Sequence, residues 1–239
     1  MVLDILQGGD MKTALISLLI SLPVILLALT VHEVAHGYVA YLCGDGTAKA
    51  FGRLTLNPAK HLDLMGTLCM LIAGFGWAKP VPVNMRNLRK PKRDMVLVSL
   101  AGPVANLLLA LVSACLYSLT AHIAFSVEAI FANGTLYNIF VTVILLFSIM
   151  IQLNIGLALF NLIPVPPLDG SKILAGLLPN RLAMRYVQIE RYTSSVFLIV
   201  MLLSITGKLD ILLYPLQWLR YNIAELFVGL FDTIFGWLF

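Results

Sequence analysis

Three stretches of this chain, residues 13–31, 95–119 and 136–160, contain no Asp, Glu, Lys or Arg. A helix rises 1.5 Å per residue, so about 20 apolar residues cross the roughly 30 Å hydrocarbon core of a bilayer. A fourth, shorter run of the same kind covers 192–206. In lipid every backbone amide must be bonded internally, which restricts such runs to helices. The rest of the chain agrees: 60% of its 239 residues are hydrophobic and only 12% are charged. A soluble domain carries about twice that charge. The expected fold is an all-α polytopic membrane protein with about four to six transmembrane helices.

The basic residues sit between these runs. Lys79, Arg86, Arg89, Lys90, Lys92 and Arg93 crowd the loop 78–94 against one acid, Asp94. Basic loops stay on the cytoplasmic side. The loop 120–135 has neither Lys nor Arg and belongs outside, while Lys172, Arg181, Arg185 and Arg191 mark a return to the cytoplasm. The four runs then alternate consistently, the first passing from outside to inside. The net charge of +4 is therefore a topology signal, and no aromatic-interleaved basic stripe points to nucleic acid. Asp4 and Asp10 precede the first basic residue, Lys12, so the first run does not read as a cleaved signal. Cys43, Cys69 and Cys115 are scattered and suggest neither a disulfide framework nor a cysteine zinc site.

Two regions are less regular. Residues 47–63 alternate weakly, with Gly52, Leu54 and Leu56 on one side and Phe51, Arg53 and Thr55 on the other. That pattern predicts a short strand or hairpin. Leu64 to Trp77 is apolar but too short to span, which predicts a re-entrant segment, so a re-entrant or β-hairpin excursion is expected near 47–77. Beyond the fourth run, 209–221 is apolar but short, and the aromatic-rich stretch Phe227 to Phe239 reads as an interfacial helix.

The first run leads into His32-Glu33-Val34-Ala35-His36. Histidines at i and i+4 share one helix face, about 6 Å apart by rise, and can grip one zinc ion. The glutamate between them is placed to act as a general base. Ionisable groups in an apolar span are costly and mark function by default. A catalytic zinc wants a third protein ligand and one open position. Cys43 lies about 10 Å further along the same helix, and His122 falls at the outer end of a span. Asp169 is favoured, because it follows Pro164, Pro166 and Pro167 in a break beside apolar spans, on the correct side. His61 and Asp63 remain alternatives. Asn161 precedes the break and either bonds a substrate carbonyl or developing oxyanion, or caps its helix. In Ala101-Gly102-Pro103-Val104-Ala105-Asn106, Gly102 favours close helix packing, and Asn106 needs a buried partner.

Together these residues resemble the site-2 protease family of intramembrane zinc metalloproteases. The resemblance rests on His32 to Gly37, on Asn57-Pro58-Ala59-Lys60-His61-Leu62-Asp63, on Ala101 to Asn106, and on Asn161 through Leu168-Asp169-Gly170, over about residues 13–206. It implies that His32, His36 and Asp169 hold one Zn2+ per chain, that Glu33 is the catalytic glutamate, and that Asn161 handles substrate. The chain looks like the compact prokaryotic branch, without the PDZ or CBS domains of many relatives. The expectation is a single domain over 1–239, with a catalytic core at about 13–206 and apolar or interfacial helices at about 207–239.

The expected activity is hydrolysis of peptide bonds in or near transmembrane segments of other proteins. The bilayer is the medium, the prokaryotic plasma membrane the location, and the site lies nearer the cytoplasmic side. A substrate helix must unwind to be cut, and a strand edge near 50–57 could receive it by β-addition. The rival class is a zinc or divalent metal transporter using the same motif as a transport site. The single cluster of ligand character and the absence of a histidine-rich loop weigh against it.

Overall fold

The computed structural model describes residues 11–73, 76–126, 134–186, 188 and 210–238. Its described residues are helical, with one isolated antiparallel bridge and no strands. In chain order the helices are α1 (Met11–Leu42), α2 (Thr47–Ala50), α3 (Leu64–Ala73), α4 (Pro91–Ser126), α5 (Gly134–Asn161), α6 (Asp169–Leu177) and α7 (Asp210–Phe235). Three are long and apolar enough to cross a membrane: α1 from Leu19, α4 and α5. The expected span at 192–206 lies outside the described residues. The chain is an integral membrane protein.

Helix α4 is the hub, packing against α1, α5, α6 and α7. Its small residues allow this. Ala110 and Ala114 of α4 meet Ile151 and Ile155 of α5 and Ala224 of α7 in one buried cluster. In lipid, apolar area gives no drive for helix association, so close van der Waals approach through small residues carries the contact. Pro91 opens α4, where its missing N–H costs nothing. The carboxylate of Asp94, in the first turn, accepts the Lys90 N–H at 2.7 Å.

Helix α1 stops where Gly44 takes φ +109, a left-handed geometry that disfavours a Cβ. The Gly44 N–H returns to Tyr41 O at 3.0 Å, and Asp45 N–H to Ala40 O at 2.9 Å. From here residues 47–90 make an excursion between α1 and α4. The predicted strand over 51–56 is absent: α2 and a turn at Gly52 precede a 3-10 turn at Pro58–Lys60. Asn57 caps that turn, and Asp63 accepts the Gly66 N–H at 2.8 Å to start α3. These local side-chain bonds satisfy the backbone without a partner strand. Ten-residue α3 is about 15 Å long and cannot cross a bilayer, as expected of a re-entrant segment. The one bridge pairs Leu62 with Ala78, and the chain then runs without helix through 78–84.

The C-terminal region also differs from its sequence pattern. Instead of two short stretches broken between 221 and 227, one helix, α7, runs from Asp210 to Phe235. Ala224, 5% exposed, places α7 against α4 and α5. Asp232 bonds Ser118 Oγ and lies 4.0 Å from His122.

Candidate metal centre

Helices α1, α4, α5 and α6 and the non-helical segment at 78–84 converge on a cavity of about 300 Å³. Helix α1 contributes His32 and His36, which the helical period puts on one face, and Glu33 beside them. Asn161 ends α5, and the chain unwinds through Pro164, Pro166 and Pro167 before Asp169 opens α6. Gly170 explains how tightly this break folds back. A Cβ there would sit 2.3 Å from Leu162 O and 2.5 Å from Ile163 O.

The donor atoms meet closely. His32 Nε2 and His36 Nε2 each lie 3.1 Å from Asp169 Oδ2 and 3.0 Å from one another. All three residues are buried. The other ring nitrogens are already engaged: His32 Nδ1 is 2.6 Å from Asn106 Oδ1, and His36 Nδ1 is 2.6 Å from Val98 O. The Asn106 amide nitrogen faces Ala28 O at 3.2 Å and Asn154 Oδ1 at 2.7 Å, so its oxygen is the atom turned to His32. Both partners are acceptors, so each Nδ1 carries the proton and donates it. In the neutral imidazole, the form that ligates a metal, each Nε2 then presents a lone pair. Two imidazole lone pairs and a carboxylate oxygen thus point into one space with no proton between them. That arrangement is repulsive on its own and fits a cation. Donors on a tetrahedral zinc, at about 2.1 Å, lie roughly 3.4 Å apart, close to the spacing seen.

Gly102 keeps that space open. A Cβ on it would lie 2.5 Å from both His32 Cε1 and His36 Nε2. The sequence suggested helix packing for this glycine; its tightest neighbours are the two imidazoles. Among the described residues, His32, His36 and Asp169 form the cluster of metal-ligating type, their donor atoms all within 4.8 Å. The alternatives lie elsewhere. His61 Nε2 bonds Thr55 O at 2.8 Å, and Asp63 caps α3.

Burial works against a charge on Asp169. Lys172 Nζ, 3.5 Å from Oδ1, offsets it with a positive charge. Glu33 turns aside from the histidines: its Oε2 accepts the Val81 N–H at 2.8 Å. Asn161 lines the same cavity while its amide donates to Leu157 O at 2.9 Å.

Several site residues escaped the sequence reading. Val98 and Asn154 act through backbone or through a neighbour, and leave no motif. Ser99 lines the cavity with a buried Oγ that has no partner among the described residues. Val81 had a signal. In Lys79-Pro80-Val81-Pro82-Val83 the alternating prolines enforce extended chain and leave Val81 as the one N–H donor within 80–82.

Residues 20–204 match the model of Peptidase family M50. The chain is 46% identical over 211 residues to "Putative zinc metalloprotease YwhC" of Bacillus subtilis, covering 88% of this chain and 91% of that protein. It is 30% identical over 190 residues to "Putative zinc metalloprotease Rip2" of Mycolicibacterium smegmatis, covering 77% of this chain and 66% of the relative. No solved structure matches the chain significantly. Nothing in these similarities favours a metal transporter.

Proposed function

The chain belongs to peptidase family M50, and from that premise we propose that His32, His36 and Asp169 ligate the zinc of this intramembrane metalloprotease, with Glu33 as its general base. The observation that carries this assignment is the convergence of His32 Nε2, His36 Nε2 and Asp169 Oδ2 within 3.1 Å of one another. Zinc bound there supplies Lewis acidity, which acidifies water and polarises a peptide carbonyl. The protein's own groups do the rest. Glu33, anchored through Oε2 by the Val81 N–H, keeps Oε1 to take the proton of the attacking water. It returns that proton to the leaving amine. Asn161, at the rim of the cavity, exchanges its Leu157 bond for the substrate carbonyl oxygen as negative charge develops. Asn106 and the Val98 carbonyl hold the two imidazoles in the ligating tautomer.

The substrate is a protein within the membrane, and the bond cut lies in or near a transmembrane segment. The expected receiving edge at 50–57 is not a strand. The non-helical backbone at 78–84, whose Val81 touches Glu33, is the better support for an unwound substrate. The basic loops support an orientation with the site toward the cytoplasmic face, and the membrane proposed is the prokaryotic plasma membrane.

The test needs no natural substrate. Wild type and Glu33→Gln should each purify with about one zinc per chain, and Asp169→Ala with far less. Glu33→Gln should lower cleavage of a reconstituted transmembrane peptide by about a hundredfold or more. A Glu33→Gln protein that still cleaves would remove Glu33 from its role. Full zinc retention in Asp169→Ala would move the third ligand elsewhere.

A further inference from the structure

A second cavity, of about 520 Å³, lies beside the metal centre, and Pro80 lines both. Arg53, Lys60 and Lys79 line it together with Phe51 and Leu62, and no acidic residue does. Arg53 is only 7% exposed. One of its terminal nitrogens donates to Lys79 O at 2.6 Å, but its Nε is buried without a partner. Among the described residues no carboxylate pairs with Arg53, Lys60 or Lys79. A buried guanidinium without a counter-charge is costly, and neutral carbonyls do not cancel it. Three cations facing one cavity therefore call for an anion.

The rim indicates which anion. Of the apolar residues that line it, Phe51 is 71% exposed and Leu62 41%. Large apolar side chains so exposed beside a cationic cavity suit a ligand with a charged head and apolar tails. Basic pockets at the membrane surface take anionic lipid headgroups in this way.

We propose that the Arg53–Lys60–Lys79 cavity binds a phosphate-bearing anion, and that its source is the headgroup of an anionic phospholipid whose acyl chains lie over Phe51 and Leu62. The site is separate from the zinc ligands and does not depend on their assignment.

The test uses the full chain in detergent micelles, titrated with a fluorescent phosphatidylglycerol, with zinc content measured in parallel. Lys60 and Lys79 are exposed, so Lys60→Gln/Lys79→Gln should fold and keep wild-type zinc. Near a membrane surface each lysine contributes about fivefold in affinity, so the double variant should bind the lipid roughly thirtyfold more weakly. Phosphatidylcholine should compete poorly, and inorganic phosphate only weakly. Equal lipid binding by wild type and the double variant would overturn the site, leaving ordinary annular contact. Saturation by inorganic phosphate, with no gain from acyl chains, would overturn the lipid as source. Loss of zinc in wild type would count against the metalloprotease assignment and leave the lipid measurement standing.

Discussion

At the scale of single residues, the centre depends on groups that do no chemistry themselves. Gly102 is the sharpest case, since a methyl there would stand 2.5 Å from both imidazoles. Gly102→Ala should purify with little zinc and no cleavage although its helix remains intact; circular dichroism beside metal analysis separates the two effects. Asn154 is more remote. It is fully buried and holds Asn106, which holds His32. Replacing partners behind a metal ligand weakens affinity by about ten- to a hundredfold. Asn154→Leu should do the same in a competitive chelator titration, and an unchanged affinity would detach Asn154 from the site. The histidines and Glu33 were legible in the sequence because their spacing is a property of one helix. Gly102 and Asn154 were not, because what matters about them is the atom opposite, on another helix.

At the scale of elements, the excursion over 47–90 is tied to α1 by a buried carboxylate. Asp45, with no exposed surface, accepts the Asn84 N–H at 2.6 Å, the Asn87 amide at 3.0 Å, and both the N–H and hydroxyl of Thr47. Burial pushes its pKa up, but these hydrogen bonds outweigh it and hold the group below its ordinary value. A depressed carboxylate stabilises the fold above its unfolded pKa of about 3.9, and that contribution disappears as pH falls through the folded value. Hydrogen bonds to a charged group contribute about 1.5–3 kcal/mol. Asp45→Asn should therefore lower Tm in detergent at neutral pH, and its gap to wild type should narrow below about pH 4. A gap that stays constant with pH would mean that the charge is not what holds the segment. The sequence pattern of 47–63 suggested a strand because alternation over a few residues resembles one. Caps at Asn57 and Asp63 decided otherwise, by bonding the backbone locally.

At the scale of the whole molecule, α4 joins the metal centre to the rest of the bundle. Its first half supplies Val98, Gly102 and Asn106 to the site, and its second half packs Ala110 and Ala114 against α5 and α7. Ala224 of α7 sits in that cluster at 5% exposure. Ala224→Leu should overpack it and cost about 1–3 kcal/mol, read as a lower Tm, while zinc stoichiometry stays at the wild-type value. Loss of zinc in that variant would show that α7 also shapes the site. The membrane-spanning helices, their number apart, were set by the sequence alone, since long apolar runs have one solution in lipid. So were the two histidines and the glutamate, because helical spacing is local. The convergence of Asp169 from a position 133 residues beyond His36, the tautomers imposed by Asn106 and Val98, the hold of Val81 on Glu33, and the docking of α7 were decided by tertiary structure. Each depends on which surfaces of separate helices come into contact, and no period within a single segment records that.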